Sequence, residues 1–198
     1  MAEKAKAPKK GKKAEEEKPA AGAMLLADIP GLVADMELTD KTRLVGMVSP
    51  FRGETWAHLR KYVESNAYTG LTQSGVAMRK EGWEAMEKIF IAFPELPKLE
   101  IEGAPEKEWG RIEKSRTVSI VVRTLKDQGT SPGMKVDVRE WVEGGKYTGW
   151  TKKGVRFGAE HLPLLLPLMA KITEALAKAP RPEPMVKSPE PEQAEAHE

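Results

Sequence analysis

The sequence contains no cysteine. That excludes disulfides, thiol nucleophiles and cysteine-ligated zinc, and it makes the chain indifferent to redox compartment. Histidine is nearly as scarce: His58 and His161 belong to no partner motif, and His197 lies in a polar tail. With no phosphate-cradling loop, metal-ligand spacing or nucleophile motif either, the expectation is a non-enzyme without metal or cofactor. No apolar run is long enough to span a bilayer. The nearest to a leader, "AMLLADIPGLV", is broken early by Asp28 and Pro30, so no signal peptide is expected. A mitochondrial presequence would want arginine and few acids, whereas residues 1–20 hold Glu15, Glu16 and Glu17 and no arginine. The expected location is cytoplasmic and nucleoid-associated, or nuclear in a eukaryote. The formal net charge of +2 does not by itself indicate a nucleic-acid partner.

The charge is unevenly spread. Residues 1–20 carry seven lysines against four glutamates, and residues 179–198 carry five glutamates against Arg181 and Lys187. The first 23 residues have no aromatic side chain, and the last twenty intersperse proline with acids. Neither segment can bury enough apolar surface to offset its ordering entropy, so both read as disordered tails.

Between the tails the chain repeats itself. At a shift of 79, "LRKYVESNAYTGLTQSGVAMRKE" falls on "VREWVEGGKYTGWTKKGVRFGAE", with ten identities in the 22 positions from Arg60 to Glu81. Upstream, "RLVGMVSPF" aligns with "TVSIVVRTL" at a shift of 74, which implies five extra residues in the second copy's first hairpin. Each copy reads as a strand (Leu44 to Val48; Val118 to Val122), a turn, a second strand (Trp56 to Val63; Lys135 to Val142), a third ("YTGLT"; "YTGWT"), a fourth beyond Gly75 or Gly154, and a closing helix (Lys80 to Ala92; His161 to Lys178). In the second strand Ala57, Leu59 and Val63 share one face, as do Val136, Val138 and Val142. Trp56, His58, Arg60 and Tyr62, or Lys135, Asp137, Arg139 and Trp141, share the other. The second helix is apolar almost all round at its start, which requires burial on more than one side. Pro167 is expected to kink it or delay its start. The predicted fold is α+β, two tandem β-β-β-β-α units packed as a pseudo-dimer through their helices. The units span 24–93 and 111–178, with 94–110 as linker. Residues 24–40 read either as a packing segment or as an extra edge strand.

"KVDVREWVEGGKYTGWTKKGVRF" followed by an apolar helix resembles the positive cofactor four family of transcriptional coactivators, and "VSPFRG" resembles that family's first hairpin. The likeness covers nearly all of 42–92 and 116–178. More distantly, a chain with two such units is similar to the Whirly proteins. The resemblance implies single-stranded DNA binding in transcription, replication or recombination, with two units paired through their helices. It implies that Phe51 stacks on bases and that Arg52, Arg60, Arg139, Lys153 and Lys126 contact the backbone. The chain departs from the pattern at Val63 and Val142, where the family has a second stacking aromatic, at Leu125, aligned with Phe51, and at Ser74, aligned with Lys153.

The residues support the same chemistry independently. Binding a single strand needs cations along the phosphates and flat π faces for the bases. The outward faces offer Arg60 with Tyr62, Arg139 with Trp141, and further along Tyr68, Tyr147, Trp150, Lys152, Lys153 and Lys135. Each has a purely structural alternative. The arginines pair with Asp137 or a glutamate, the tyrosines brace hairpins, Trp141 and Tyr62 are covered core, and the lysines blunt an edge. The expected function is sequence-independent single-stranded DNA binding, with Trp150, Lys152 and Lys153 making the second copy the stronger half. The alternatives are an interaction module with a weakened groove, binding transcription or replication proteins, and single-stranded RNA binding. The chain is expected as a monomeric pseudo-dimer or a homodimer.

Overall fold

The computed structural model describes residues 24–93, 106–127 and 133–180. The basic tail, most of the Pro/Glu-rich tail and residues 94–105 of the expected linker lie outside these residues. A 3-10 turn, Leu26–Asp28, precedes β1 (Leu32–Thr39), β2 (Thr42–Phe51), β3 (Glu54–Glu64) and β4 (Thr69–Arg79), and α1 (Lys80–Ile91) follows. Then come β5 (Glu106–Ser115), β6 (Val118–Asp127), β7 (Gly133–Val142), β8 (Gly149–Gly158), a 3-10 turn at Ala159–His161 and α2 (Leu162–Lys178). The strands form two four-stranded antiparallel meanders, β1-β2-β3-β4 and β5-β6-β7-β8, so the chain is α+β with two ββββα units. No helix among the described residues is long and apolar enough to cross a membrane.

Three strand assignments change. "YTGLT" and "GVAM" form one strand, β4, and their counterparts form β8, so Gly75 and Gly154 lie within strands rather than between them. The fourth strand of each unit is instead its first. In unit one this is β1, which makes 32–39 an edge strand. In unit two it is β5, which starts at Glu106 inside the stretch read as linker and ahead of the boundary at 111. β5 escapes sequence reading because it is an edge strand, "EKEWGRIEKS", in which only Ile112 is fully buried.

The register of the first hairpin also changes. Thr42 pairs with Val63, and Val118 pairs with Val142. Thr42 is therefore equivalent to Val118, a shift of 76 rather than 74, and the second hairpin is three residues longer rather than five. The counterpart of Phe51 is Asp127, and Leu125 answers to Ser49.

Each unit alone is close to the size at which a core becomes marginal. The chain avoids that by building one core from both. Leu44, Leu59, Trp83 and Phe90 belong to the same buried cluster as Ile120, Val138, Leu165 and Ile172. The helices are exchanged: α2 lies over β1 and β2, and α1 contacts β5. A Cβ added at Gly46 of β2 would come within 2.2 Å of Ile172 Cδ1, and one at Gly110 of β5 within 2.5 Å of Ile89 Cδ1. α1 and α2 also touch, Trp83 Nε1 donating to Thr173 Oγ1 at 3.1 Å. α2 begins at Leu162 with Pro163 in its first turn, so Pro167 lies inside the helix and does not delay it. Its burial is less complete than expected, because Leu164 and Leu166 remain exposed. Gly46→Val is expected to wedge α2 off β2 and to cost about 1–3 kcal/mol, the usual penalty of overpacking. Urea denaturation would measure it.

Candidate nucleic-acid interface

The twice-written phrase builds a bulge. Arg60 pairs with Gly75 and Tyr62 with Leu71, so Thr72–Ser74 of β4 oppose Lys61 alone. In unit two Arg139 pairs with Gly154 and Trp141 with Trp150, so Thr151–Lys153 oppose Glu140. The shared residues hold this shape. The Arg60 guanidinium donates to the Thr72 carbonyl at 2.7 Å, and Arg139 donates to the Thr151 carbonyl at 3.1 Å. The Tyr68 hydroxyl donates to the Leu71 carbonyl, and Tyr147 to the Trp150 carbonyl. Gly70 and Gly149 have φ of 151° and 153°, and a Cβ there would crowd the Tyr68 or Tyr147 ring. At Gly75 and Gly154 a Cβ would strike Arg60 Cγ or the Val138 carbonyl. The repeated Arg, Tyr, Thr and Gly are therefore scaffold, although Tyr68 and Tyr147 keep 49% and 55% of their surface exposed.

Tyr62 is not an open platform. It is 1% exposed and packs with Ile29, Val45 and Met47, and its hydroxyl donates to the Met24 carbonyl at 3.1 Å. Residues 24–32 run across this end of the outer face and cover it. Alternation along β3 places Tyr62 beside Arg60 on the outward face, as expected, and of the two readings of Tyr62 the covered one holds.

In unit two the arginines of the outward face are engaged. Asp137 is fully buried. It accepts from Arg123 at 2.9 and 3.0 Å, from Arg139 at 3.0 Å and from Arg156 at 3.4 Å. Burial alone would raise its carboxyl, but the Arg139 and Arg123 hydrogen bonds outweigh burial and hold it below the usual carboxylate range. Arg123 also donates to Glu106, and its guanidinium lies 3.7 Å from the Trp150 ring centre. Trp141 and Trp150 face each other across β7 and β8, edge to face, 4.7 Å between centroids. Lys153 reaches Glu140 at 3.7 Å, while Lys152 and Lys126 are exposed and Lys135 is half-buried. Lys61 of unit one approaches this cluster. Burial, then Arg156 and Arg139, lowers its pKa.

In unit one the first hairpin presents an exposed aromatic. Phe51 pairs with Glu54, leaving Arg52 and Gly53 as a two-residue turn with φ of 51° and 74°. Positive φ at both positions is the twist that suits a tight hairpin, and a non-glycine residue there is strained. The turn presents Phe51, 53% exposed, with the Arg52 guanidinium 5.2 Å from its ring centre. Phe51 meets Trp56 edge to face at 6.1 Å, and Arg79 and Lys114 each lie 5.7 Å from the Trp56 ring centre. Trp56 was legible by alternation with His58 and Arg60. Arg79 and Lys114 were not, since they come from a strand end and from β5. His58 Nε2 lies 2.9 Å from Ser49 Oγ, and burial first, then Arg60 and Lys114, lowers its pKa. Among the described residues no three His, Asp or Glu side chains gather at metal-binding spacing.

No protein-family model matches the chain, and no curated protein matches it.

Proposed function

We propose that the chain binds single-stranded DNA independently of sequence, along the solvent-facing sheets, with unit one as the stronger half. The observation that carries this reading is the row Arg52, Phe51, Trp56, Arg79 and Lys114, which alternates π faces with cations: Phe51, Arg52 and Arg79 are exposed, Trp56 and Lys114 are half-buried, and Arg79 and Lys114 also pair with Glu54 at 2.6 Å and Glu140 at 2.5 Å. Exposed aromatics beside cations are the two ingredients single-strand binding requires. The likeness of "VSPFRG" to the coactivator family's first hairpin agrees, as does the doubled ββββα architecture, and on this reading the chain belongs to that single-stranded-DNA-binding type. Tyr147, Lys152 and Lys126 extend the surface on unit two, where Arg139 and Trp141 act chiefly through Asp137 and Trp150 as supports. The engagement of unit two's arginines by Asp137 favours, as a second reading, an interaction module in which only unit one meets nucleic acid.

Fluorescence anisotropy of labelled oligo-dT at low salt tests the proposal. Binding at micromolar protein or below is expected, and its absence sinks the proposal. Phe51→Ala should weaken binding by roughly 1–3 kcal/mol, the contribution of one stacked base. Arg52→Ala should lower the slope of log affinity against log salt by about 0.7, one phosphate contact. A matched oligo-U competitor separates DNA from RNA as the preferred strand.

A further inference from the structure

The boundary between the units holds a cleft of about 450 Å3, within the size range of small-molecule sites. Its apolar walls are Trp56, Met78, Ile112, Val118 and Ile120. A recess of about 250 Å3 adjoins it, lined by His58 and Arg60 and sharing Lys114, Glu140 and Lys153 with the cleft. The two ends differ in charge. In the wide end Arg79, Lys114 and Lys153 are balanced by Glu81, Glu113 and Glu140. In the recess Arg60, Lys114 and Lys153 face Glu140 alone, which Lys114 holds at 2.5 Å and Lys153 at 3.7 Å, so three cations share one acid while Arg60 also donates to the Thr72 carbonyl. The Trp56 Nε1–H is buried and has no acceptor among the described residues. That is an uncommon state for a donor in a folded chain.

We propose that this cleft receives one nucleotide of the bound strand, with its base among Trp56, Ile112 and Val118 and its phosphate in the recess at Arg60, Lys114 and Lys153. A flat, apolar heterocycle tethered to an anion matches the apolar end with its Trp56 wall and the cationic recess together. The inference rests on the strand-binding reading and adds a specific crossing point between the units. Among the described residues the site occurs once. By ladder register, the positions equivalent to Trp56, Lys114, Lys153 and Glu140 are Lys135, Leu38, Ser74 and Lys61, which offer neither the aromatic wall nor the same charges. One nucleotide inserted at a single asymmetric point gives the bound strand a preferred polarity, although the two units are alike in fold.

The test follows the five indole N–H signals of the full chain by nitrogen-15 NMR, with Trp56→Phe assigning the Trp56 signal. Oligo-dT should shift that signal, as should thymidine 5′-monophosphate at millimolar concentration. Trp56→Phe and Lys114→Gln should each weaken oligo-dT binding by about fivefold, the lower end of what one stacked base contributes. If oligo-dT binds by anisotropy while the Trp56 signal stays in place and both variants bind as the native chain does, the cleft proposal is overturned and strand binding stands. If oligo-dT fails to bind while the monophosphate shifts the Trp56 signal, strand binding falls and the cleft stands as a nucleotide site. If neither ligand has an effect, both fall.

Discussion

Asp137→Ala is expected to destabilise the protein by about 3–5 kcal/mol, the cost of removing one partner from a buried ion pair. The carboxylate is fully buried, and Arg123, only 9% exposed in its side chain, donates to it through two nitrogens. Arg123 uses Oδ2, and Arg139 and Arg156 converge on Oδ1 of the same carboxylate. Without the acid, three guanidiniums lie close together with Glu106 as the remaining acid bonded to Arg123. Asp137→Asn keeps the shape and loses the charge, so it should fall between the native chain and Asp137→Ala. Urea denaturation at neutral pH measures both.

The same group gives a signed pH dependence. Its folded-state pKa is depressed, so the unfolded chain takes up this proton at a higher pH than the folded one. The stability it contributes is complete above the unfolded carboxylate value, about 3.9. It is lost as the pH falls below that value toward the folded one. The native chain should therefore lose stability on acidification below about pH 4 more steeply than Asp137→Asn does. Equal slopes would mean that the arginines do not hold the carboxyl ionised.

Trp83→Ala is expected to cost about 3–5 kcal/mol, as for other fully buried aromatics. Trp83 is 0% exposed in α1, and its indole donates to Thr173 of α2, whose hydroxyl donates in turn to Glu87 at 3.0 Å. This relay joins the helices inside a core that both units share. The loss should therefore appear as a lower midpoint of one cooperative transition for the whole chain. Separate unfolding of the two units, seen as two transitions by circular dichroism, would contradict a common core. Trp83→Phe keeps most of the volume and should cost less, chiefly the hydrogen bond and the partner it leaves unpaired, about 1–3 kcal/mol.

The repeat was legible because side-chain alternation and paired glycines are local properties. Ala57, Leu59, Val136 and Val138 point inward as alternation requires, and both helices fall where their apolar patterns put them. The bulge was missed, and with it the continuity of β4 and β8, because Gly75 and Gly154 read as turns when their partners in β3 and β7 are unknown. The register error at Phe51 had the same origin: a gapless alignment cannot see which residues pair across a hairpin. Arg52 and Phe51 were found by motif. Arg79 and Lys114 were not, because they reach Trp56 from elements distant in sequence.

By itself the sequence determined a repeated unit of strands closed by a helix, its inward and outward faces, and the residue types that suit a single strand. Only the tertiary structure decided which of those residues are available. It covered Tyr62 with residues 24–32, bound Arg139 to Asp137 and set Trp141 edge to face against Trp150. It left Phe51 and Arg52 open and brought Lys114 beside Trp56. The physical reason is that composition fixes what a side chain is able to do, whereas its partners across strands and between units fix what it is free to do.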